Sequence, residues 1–352
     1  MKRIENHSPY INFNSANKII KKCLKSSWVS TGGNLVKEFE NKISKFTGAK
    51  YTVACNSGTA ALQIALKLSG VEKDDEVIVP TLTFIATINS VIYNQSSPIF
   101  MDCDDYFNLD IKKTIEFLNK KTIFRKGYTV NKKTGKRIKA VMPVHVWGNG
   151  IDIRELKKIC DKKKINIIED STEALGTFIY KNKKKVHAGL QGLAGCLSFN
   201  ANKIITTGGG GAIITNNKKI AEEALYLTTQ AKDDSIKFVH NEIGYNYRLT
   251  SLSAALGISQ INEINKKLKI KKKIYNFYKK KFYNNKNYNM AKVPNISLNN
   301  HWMNILQINS NKKGLKDKLV KKLIKKGIQV RPVWKLNHEQ KPFKNFEKYK
   351  IS

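Results

Sequence analysis

The chain has 352 residues, of which 41% are hydrophobic, and its formal net charge is +37. This length can bury the core of one large domain and a smaller one, and no window approaches eighteen consecutive apolar residues, which argues against a transmembrane helix. The N-terminal sequence MKRIENHSPY has charges but no apolar region behind them. It therefore lacks the pattern of a secretory signal, and we expect a cytoplasmic protein.

The positive charge comes almost entirely from lysine, because only six of the 64 basic residues are arginine. Arginine is favoured for bidentate contacts to phosphates and bases. A lysine excess with abundant asparagine and isoleucine is instead typical of an AT-rich genome. The composition thus favours solvated surface lysines, and a nucleic-acid-binding protein stays open as an alternative.

The first two thirds of the chain alternates predicted helices and strands. Apolar residues at helical spacing predict an amphipathic helix over 34–46 that ends at Gly48. Short apolar runs then alternate with helices of ten to fifteen residues, and the runs are YTVAC, DEVIVP, SPIFMD, KAVMPVHV and INIIED. This alternation predicts an α/β fold whose mostly parallel central sheet is covered by helices on both faces. Ligands bind such sheets at the carboxyl ends of the strands.

Two segments depart from this alternation. The polar segment 124–139 is predicted to form a hairpin excursion, with a turn at 133–135. After about residue 236 the pattern changes to long helices, a strand in HWMNILQINS, a helix in LKDKLVKKLIKKG and a strand in IQVRPVW. This pattern is typical of a smaller α+β domain. We expect a large domain over 1–235, with an N-terminal arm over 1–33, and a small C-terminal domain over 236–352.

Polar residues follow two of the predicted strands in patterns that suit a ligand. NSGTAAL opens a helix with Ser57, Gly58 and Thr59, whose hydroxyls and free N–H groups suit a phosphate, although the same residues are also an ordinary helix cap. IIEDSTEALG ends an apolar strand with Glu169 and Asp170. A charge that emerges from a buried strand must be paired or hydrogen-bonded, so these carboxylates form either a structural ion pair or part of a site.

Two further segments carry candidate residues. In SFNANKIITTGGGG, Lys203 lies between apolar residues and four glycines, unlike the surface lysine clusters. A lysine amine becomes chemically useful when it is neutralised or held as a Schiff base. GYNYRLTSLSAALG precedes a helix capped by Thr250 or Ser251, and it could equally be a packing loop.

Other motifs are absent from the sequence. The lysine precedes the glycines, which is not the order of a P-loop, and no G-x-G-x-x-G follows the first strand. The six histidines and five cysteines show no metal-ligand spacing. The sequence therefore indicates no metal site, and the cysteines are expected to be free thiols.

Taken together and in order, these segments resemble the sugar aminotransferases of the DegT/DnrJ/EryC1/StrS family, from about Asn12 to the C-terminus. The resemblance implies the type I fold of enzymes that use pyridoxal 5′-phosphate (PLP). EDSTEALG, SFNANKIITTGGGG and GYNYRL most resemble members that aminate the C4 ketone of nucleotide-linked 4-keto-6-deoxy sugars for bacillosamine, legionaminic acid or perosamine. Relatives commonly continue beyond the region of RPVWKLNHEQKPF, so the small domain is expected to be shortened.

The resemblance assigns the reacting groups residue by residue. It makes Lys203 the lysine of the internal aldimine and the carrier of the proton during transamination. Asp170 would face the pyridine nitrogen and keep it protonated, and Phe84 would stack on the ring. Glu173 stands where many members have histidine or glutamine beside the ring.

The resemblance also implies phosphate ligands and partners. Gly58, Thr59 and Ser198 would bind the phosphate, and Asn246 would reach it from the other subunit of a homodimer. The expected substrates are glutamate, as amino donor, and a nucleotide-linked ketosugar. Two alternatives stay open. The first is a catalytically inactive or nucleic-acid-binding protein of the same fold, which explains the charge. The second is a Schiff-base lyase without PLP, in which Asp170 would have no function.

Overall fold

The computed structural model describes residues 3–181, 184–234, 236–310 and 312–351. Within these ranges the α-helices are α1 (Phe13–Lys25), α2 (Asn34–Thr47), α3 (Gly58–Leu68), α4 (Ile85–Tyr93), α5 (Ile111–Lys120), α6 (Arg154–Lys162), α7 (Lys218–Thr228), α8 (Ser251–Ile261), α9 (Ile264–Lys281) and α10 (Leu315–Lys325).

The strands are β1 (Tyr51–Cys55), β2 (Glu76–Pro80), β3 (Ser97–Met101), β4 (Thr122–Arg125), β5 (Tyr128–Asn131), β6 (Ile138–Val141), β7 (Asn166–Asp170), β8 (Phe178–Lys181), β9 (Lys184–His187), β10 (Ala194–Ser198), β11 (Gly211–Thr215), β12 (Tyr288–Met290), β13 (Ser297–Leu298), β14 (Leu306–Ile308) and β15 (Lys348–Tyr349).

The main sheet of the described chain has the strand order β1-β11-β10-β7-β6-β2-β3-β15. β11 pairs antiparallel with both of its neighbours, and the other pairs are parallel, so β11 runs opposite to the rest. The mostly parallel α/β sheet predicted from the sequence is confirmed.

Helices cover both faces of this sheet because successive strand side chains point to opposite sides. In β11, Ala212 and Ile214 belong to the apolar cluster that includes α2 and α8, whereas Ile213 belongs to the cluster that includes α3 and α7. α2 has its buried side chains at helical spacing and ends at Gly48 with a φ of +81°, as predicted. A helix whose buried side chains form one stripe packs with that stripe against a sheet.

Three parts of the chain differ from the sequence prediction in detail. The hairpin lies at β4 and β5, with its tight turn at 126–127, and the turn at 133–135 follows it. The strand predicted in IQVRPVW is wrong: only Ile328 makes a bridge, to Ile4, and Pro332 has no N–H to offer a ladder. β15 joins the main sheet beside β3, so the C-terminal part of the chain returns to the large sheet.

The structural elements beyond residue 250 fall into two groups. α8 packs against α1 and α2 in the core of the main sheet. α9, α10 and the β12–β14 pair form a smaller layer, in which α10 has no buried residue. The division at residue 235 stays a prediction. None of the described helices is both long and apolar enough to span a bilayer.

Candidate active site

A cavity of about 1210 Å³ lies at the carboxyl ends of the central strands. Six residues predicted from the sequence line it, and these are Gly58, Thr59, Phe84, Glu173, Ser198 and Lys203. They come from the ends of β1, β2, β7 and β10 and from the segments that follow. The strand topology thus brings residues nearly 150 positions apart to one place.

The N-terminus of α3 forms one end of this cavity. Ser57 caps the helix by accepting a hydrogen bond from the Ala60 N–H, at 3.0 Å. The N–H groups of Gly58 and Thr59 have no acceptor among the described residues. A Cβ atom on Gly58 would lie 2.8 Å from the Cβ of Ser198, so a side chain there would fill the cradle. Two free N–H groups at the positive end of a helix suit an anion such as phosphate.

The two acidic residues at the end of β7 have different environments. Glu169 is fully buried, and it accepts hydrogen bonds from His145 Nε2 at 2.9 Å and from the N–H groups of Gly189 and Gly192. Burial alone would raise the pKa of Glu169, but these hydrogen bonds outweigh it and lower the pKa. Glu169 is therefore a satisfied structural carboxylate.

Asp170 points to the other side, towards the cavity floor. Its Oδ1 accepts hydrogen bonds from the N–H and the hydroxyl of Thr172, at 3.1 and 2.7 Å, and Thr172 lines the cavity. Its Oδ2 accepts a hydrogen bond from the Thr87 hydroxyl at 2.7 Å. Asp170 is 2% exposed. Three donors thus hold a buried carboxylate in one orientation behind the cavity.

Lys203 and Glu173 form an ion pair on the cavity wall. Lys203 Nζ lies 3.5 Å from Glu173 Oε1 and 4.1 Å from the centre of the Trp302 ring, and its side chain is 13% exposed. Glu173 Oε2 accepts a hydrogen bond from the Trp147 N–H at 2.8 Å. Burial raises the pKa of Glu173, although the Lys203 ammonium opposes the increase. The pair places an amine and a carboxylate close together in a largely buried position, an arrangement that suits proton transfer.

Aromatic rings form a further wall of the cavity. The Trp334 ring centre lies 6.2 Å from that of Phe84 and 5.8 Å from that of Trp147. Phe107 packs on Trp147 at 5.1 Å. Phe84 is 53% exposed, so its face is available to a flat ligand.

Two predicted residues, Asp170 and Asn246, do not line the cavity of their own chain. Asp170 lies behind the cavity, whereas Asn246 lies farther out. The side chain of Asn246 is exposed, and its backbone oxygen accepts a hydrogen bond from Asn56 Nδ2 at 3.3 Å. Asn56 lines the cavity. Asn246 therefore lies near the rim of the site and faces outwards.

Sequence reasoning missed Thr87, Thr172 and the three tryptophans Trp147, Trp302 and Trp334. Each tryptophan stands in an apolar run, such as PVHVWG or IQVRPVW, that is typical of core or strand. Thr172 stands two residues after Asp170, which is a spacing that local hydrogen-bonding patterns could have indicated. Nothing local marks the tryptophans, because only the tertiary fold brings them to the cavity.

Comparison with known proteins supplies an independent result. Residues 12–352 match the model of the DegT/DnrJ/EryC1/StrS aminotransferase family. GDP-perosamine synthase of Caulobacter vibrioides is 32% identical over 345 residues, which cover 97% of this chain and 87% of that protein. EpsN of Bacillus subtilis, provisionally named a pyridoxal phosphate-dependent aminotransferase, is 32% identical over 326 residues, covering 92% of this chain and 80% of EpsN.

A solved structure agrees in fold. Helicobacter pylori PseC, an aminotransferase involved in the biosynthesis of pseudoaminic acid, superimposes with a TM-score of 0.85 at 24% identity. The match covers 97% of this chain and 88% of PseC.

Proposed function

This chain belongs to the DegT/DnrJ/EryC1/StrS aminotransferase family, and we propose that it uses PLP to aminate a nucleotide-linked 4-keto-6-deoxy sugar with glutamate as donor. The GDP-perosamine synthase and EpsN names support a sugar substrate and PLP. The observation that carries the proposal is the meeting of Lys203, Glu173 and the free end of α3 around one cavity, with Asp170 bonded to Thr172 behind the cavity wall. The cytoplasmic location expected from the sequence stays a prediction.

The described residues fit both the phosphate end and the pyridine end of PLP. The cradle at Gly58, which a Cβ would fill, and the unpaired N–H groups of Gly58 and Thr59 suit its phosphate. The Ser198 side chain lines the same end. Asp170, held in one orientation by hydroxyl and N–H donors, suits the pyridine nitrogen, which it would keep protonated. Phe84 would cover the ring.

PLP, when bound, accepts the electron pair released at the α-carbon of the amino donor. Lys203 would hold PLP through Nζ. Once released, Nζ would take the proton from that α-carbon and deliver it to the cofactor carbon C4′, and with the sugar bound it would take a proton from C4′ and deliver it to the sugar carbon C4. Glu173 would receive or supply the proton at Lys203 Nζ, 3.5 Å away. The aromatic wall around Trp147 and Trp334 would exclude water from these transfers.

We further propose a homodimer in which Asn246 of the partner subunit binds the phosphate. The supporting observations are the outward-facing position of Asn246 at the rim and the exposed apolar side chains in its own segment, with Ile236, Phe238 and Ile243 at 87%, 68% and 85% exposure. Large exposed apolar side chains are typical of surfaces that another protein covers.

The central experiment is PLP titration of the purified protein, followed by amination with glutamate and a panel of nucleotide ketosugars. We expect a visible absorption band that Lys203→Ala abolishes together with amination. Lys218→Ala, which changes an exposed lysine, should keep both. A band and amination that survive in Lys203→Ala would refute the role of Lys203, and wild-type protein without any band would refute the proposed function.

A further inference from the structure

The segment that follows Trp334 makes specific contacts with the loop that carries Phe84. This loop, the Thr81–Phe84 loop, joins β2 to α4. Asn337 is fully buried against it. The Asn337 N–H donates to Thr81 O at 2.9 Å, and its Nδ2 donates to Thr81 O at 3.1 Å and to Thr83 O at 2.8 Å. Both partners of the side chain are carbonyl oxygens, so only the amide NH₂ of asparagine satisfies them.

Other hydrogen bonds also fix the backbone of the loop: the Thr81 N–H donates to Met101 O at 2.9 Å, and the Thr87 N–H donates to Phe84 O at 3.2 Å. The Phe84 side chain is less constrained. Phe84 is the N-cap of α4, but it makes no side-chain capping bond, and it is 53% exposed. Trp334, three residues before Asn337, brings its ring centre to 6.2 Å from that of Phe84. One short segment therefore touches both the backbone and the aromatic ring of the loop.

The same loop is connected to Asp170 through two threonines. The hydroxyls of Thr83 and Thr87 lie 2.9 Å apart, and the Thr87 hydroxyl donates to Asp170 Oδ2 at 2.7 Å. Because the Thr87 proton points to the carboxylate, the Thr83 hydroxyl is the donor to Thr87. A shift of the Thr83 backbone would therefore disturb the donor that holds Asp170.

We propose that Asn337 is a positioning residue that fixes the Thr81–Phe84 loop, and thereby sets the positions of Phe84, which would stack on the cofactor ring, and of Asp170, which would face its pyridine nitrogen. The inference rests on the proposed function, because it assumes that PLP occupies the cavity. Asn337 acts through the loop and does not line the cavity itself. Its contribution is to pre-order the site, which reduces the conformational entropy lost when the cofactor binds.

The test measures the PLP dissociation constant from the visible band and the melting temperature of the cofactor-free protein. Asn337→Ala is compared with Asn131→Ala. Asn131 is equally buried, and its Nδ2 ties Glu347 of the C-terminal segment to Glu76, but it does not touch the loop. We expect Asn337→Ala to weaken PLP binding about tenfold, which corresponds to about 1.4 kcal/mol. Asn131→Ala should lower the melting temperature and leave PLP affinity near that of the wild type.

A double-mutant cycle tests whether Asn337 acts through Phe84. If it does, adding Asn337→Ala to Phe84→Leu should weaken PLP binding by less than it does in the wild type. Full additivity of the two losses of PLP affinity in the double mutant would overturn the inference. Equal losses of affinity in Asn337→Ala and Asn131→Ala would also overturn it. In either case a visible band in the wild-type protein would leave the proposed function intact. Asn337→Asp, equal in size but without the NH₂ donors, replaces the alanine variant if that variant does not fold. Failure of both to fold would assign Asn337 to the core instead.

Discussion

At the scale of single residues, the orientation of Asp170 depends on two threonines, of which Thr172 lines the cavity and Thr87 does not. Thr87 donates to Oδ2, and Thr172 donates twice to Oδ1. Hydrogen bonds to a charged group contribute about 1.5–3 kcal/mol, roughly twice the value for neutral pairs. The neighbours of Asp170 therefore hold its carboxylate in one orientation.

We expect Thr87→Val to weaken PLP binding and to destabilise the protein by about 2 kcal/mol, because a buried carboxylate loses a donor while the packing is retained. Thr114→Val is the matched control, since the Thr114 hydroxyl is also buried but donates to the neutral Asp110 carbonyl. Thermal melts and PLP titrations of both variants give the comparison. Equal PLP affinities in the two variants would contradict this role of Thr87.

Lys203 and Asp170 could be singled out because their settings are local. A lysine in an apolar and glycine-rich setting and a carboxylate at a strand end are visible in the sequence, and the structure places Lys203 on the cavity wall and Asp170 behind it, while their roles stay predictions. The residues that orient them could not be predicted from the sequence. Asn337 lies 167 positions after Asp170 in the chain, and only the fold shows that it reaches the Thr81–Phe84 loop.

At the scale of elements, the four glycines before and within β11 have different functions. A Cβ on Gly211 would lie 2.4 Å from Ser57 O and 2.6 Å from Gly58 N, so β11 must pass the start of α3 without a side chain. Gly208 has a φ of +86° and needs glycine for its backbone conformation. A Cβ on Gly209 would meet no atom closer than 4.0 Å. Within the run, Gly211 is therefore the residue that makes room for the backbone of the anion cradle.

Gly211→Ala should destabilise the protein by about 1–3 kcal/mol, because the clash is with backbone that cannot move without disturbing the cradle. It should also weaken PLP binding. Gly209→Ala, two residues away in open space, should change stability by less than about 0.5 kcal/mol. Melting temperatures and PLP titrations of both variants test this prediction. A Gly211→Ala protein with the melting temperature and the PLP affinity of the wild type would be inconsistent with this packing.

The helices and strands of the large domain could be predicted from apolar periodicity, and α2, α3 and β7 lie where that periodicity places them. The order of strands in the sheet could not be predicted in this way, because strand pairing depends on contacts between distant parts of the chain. β11 shows this limit well. Nothing in its sequence, GAIIT, indicates that it lies antiparallel between β1 and β10.

At the scale of the whole molecule, the outward-facing Asn246 makes a dimer testable by subunit exchange. Lys203→Ala and Asn246→Ala should each be nearly inactive alone as homodimers. In a mixed dimer, one site combines the intact Lys203 of one subunit with the intact Asn246 of the other, so random exchange should restore about a quarter of the wild-type activity. Amination assays on refolded mixtures, with the native mass measured alongside, provide the readout. No recovery in mixtures that contain heterodimers would place Asn246 outside the shared site.

The sheet order also has a consequence for synthesis on the ribosome. β1 completes at Cys55, yet its partner in the described sheet, β11, begins only at Gly211. At translation rates of roughly 5–20 residues per second, the nascent β1 waits about 10–30 s before that partner emerges. During this interval its apolar residues and unpaired backbone are available to chaperones and to other nascent chains. Because of the position of β1 at the sheet edge, the incomplete chain during synthesis is more exposed to aggregation than the finished enzyme.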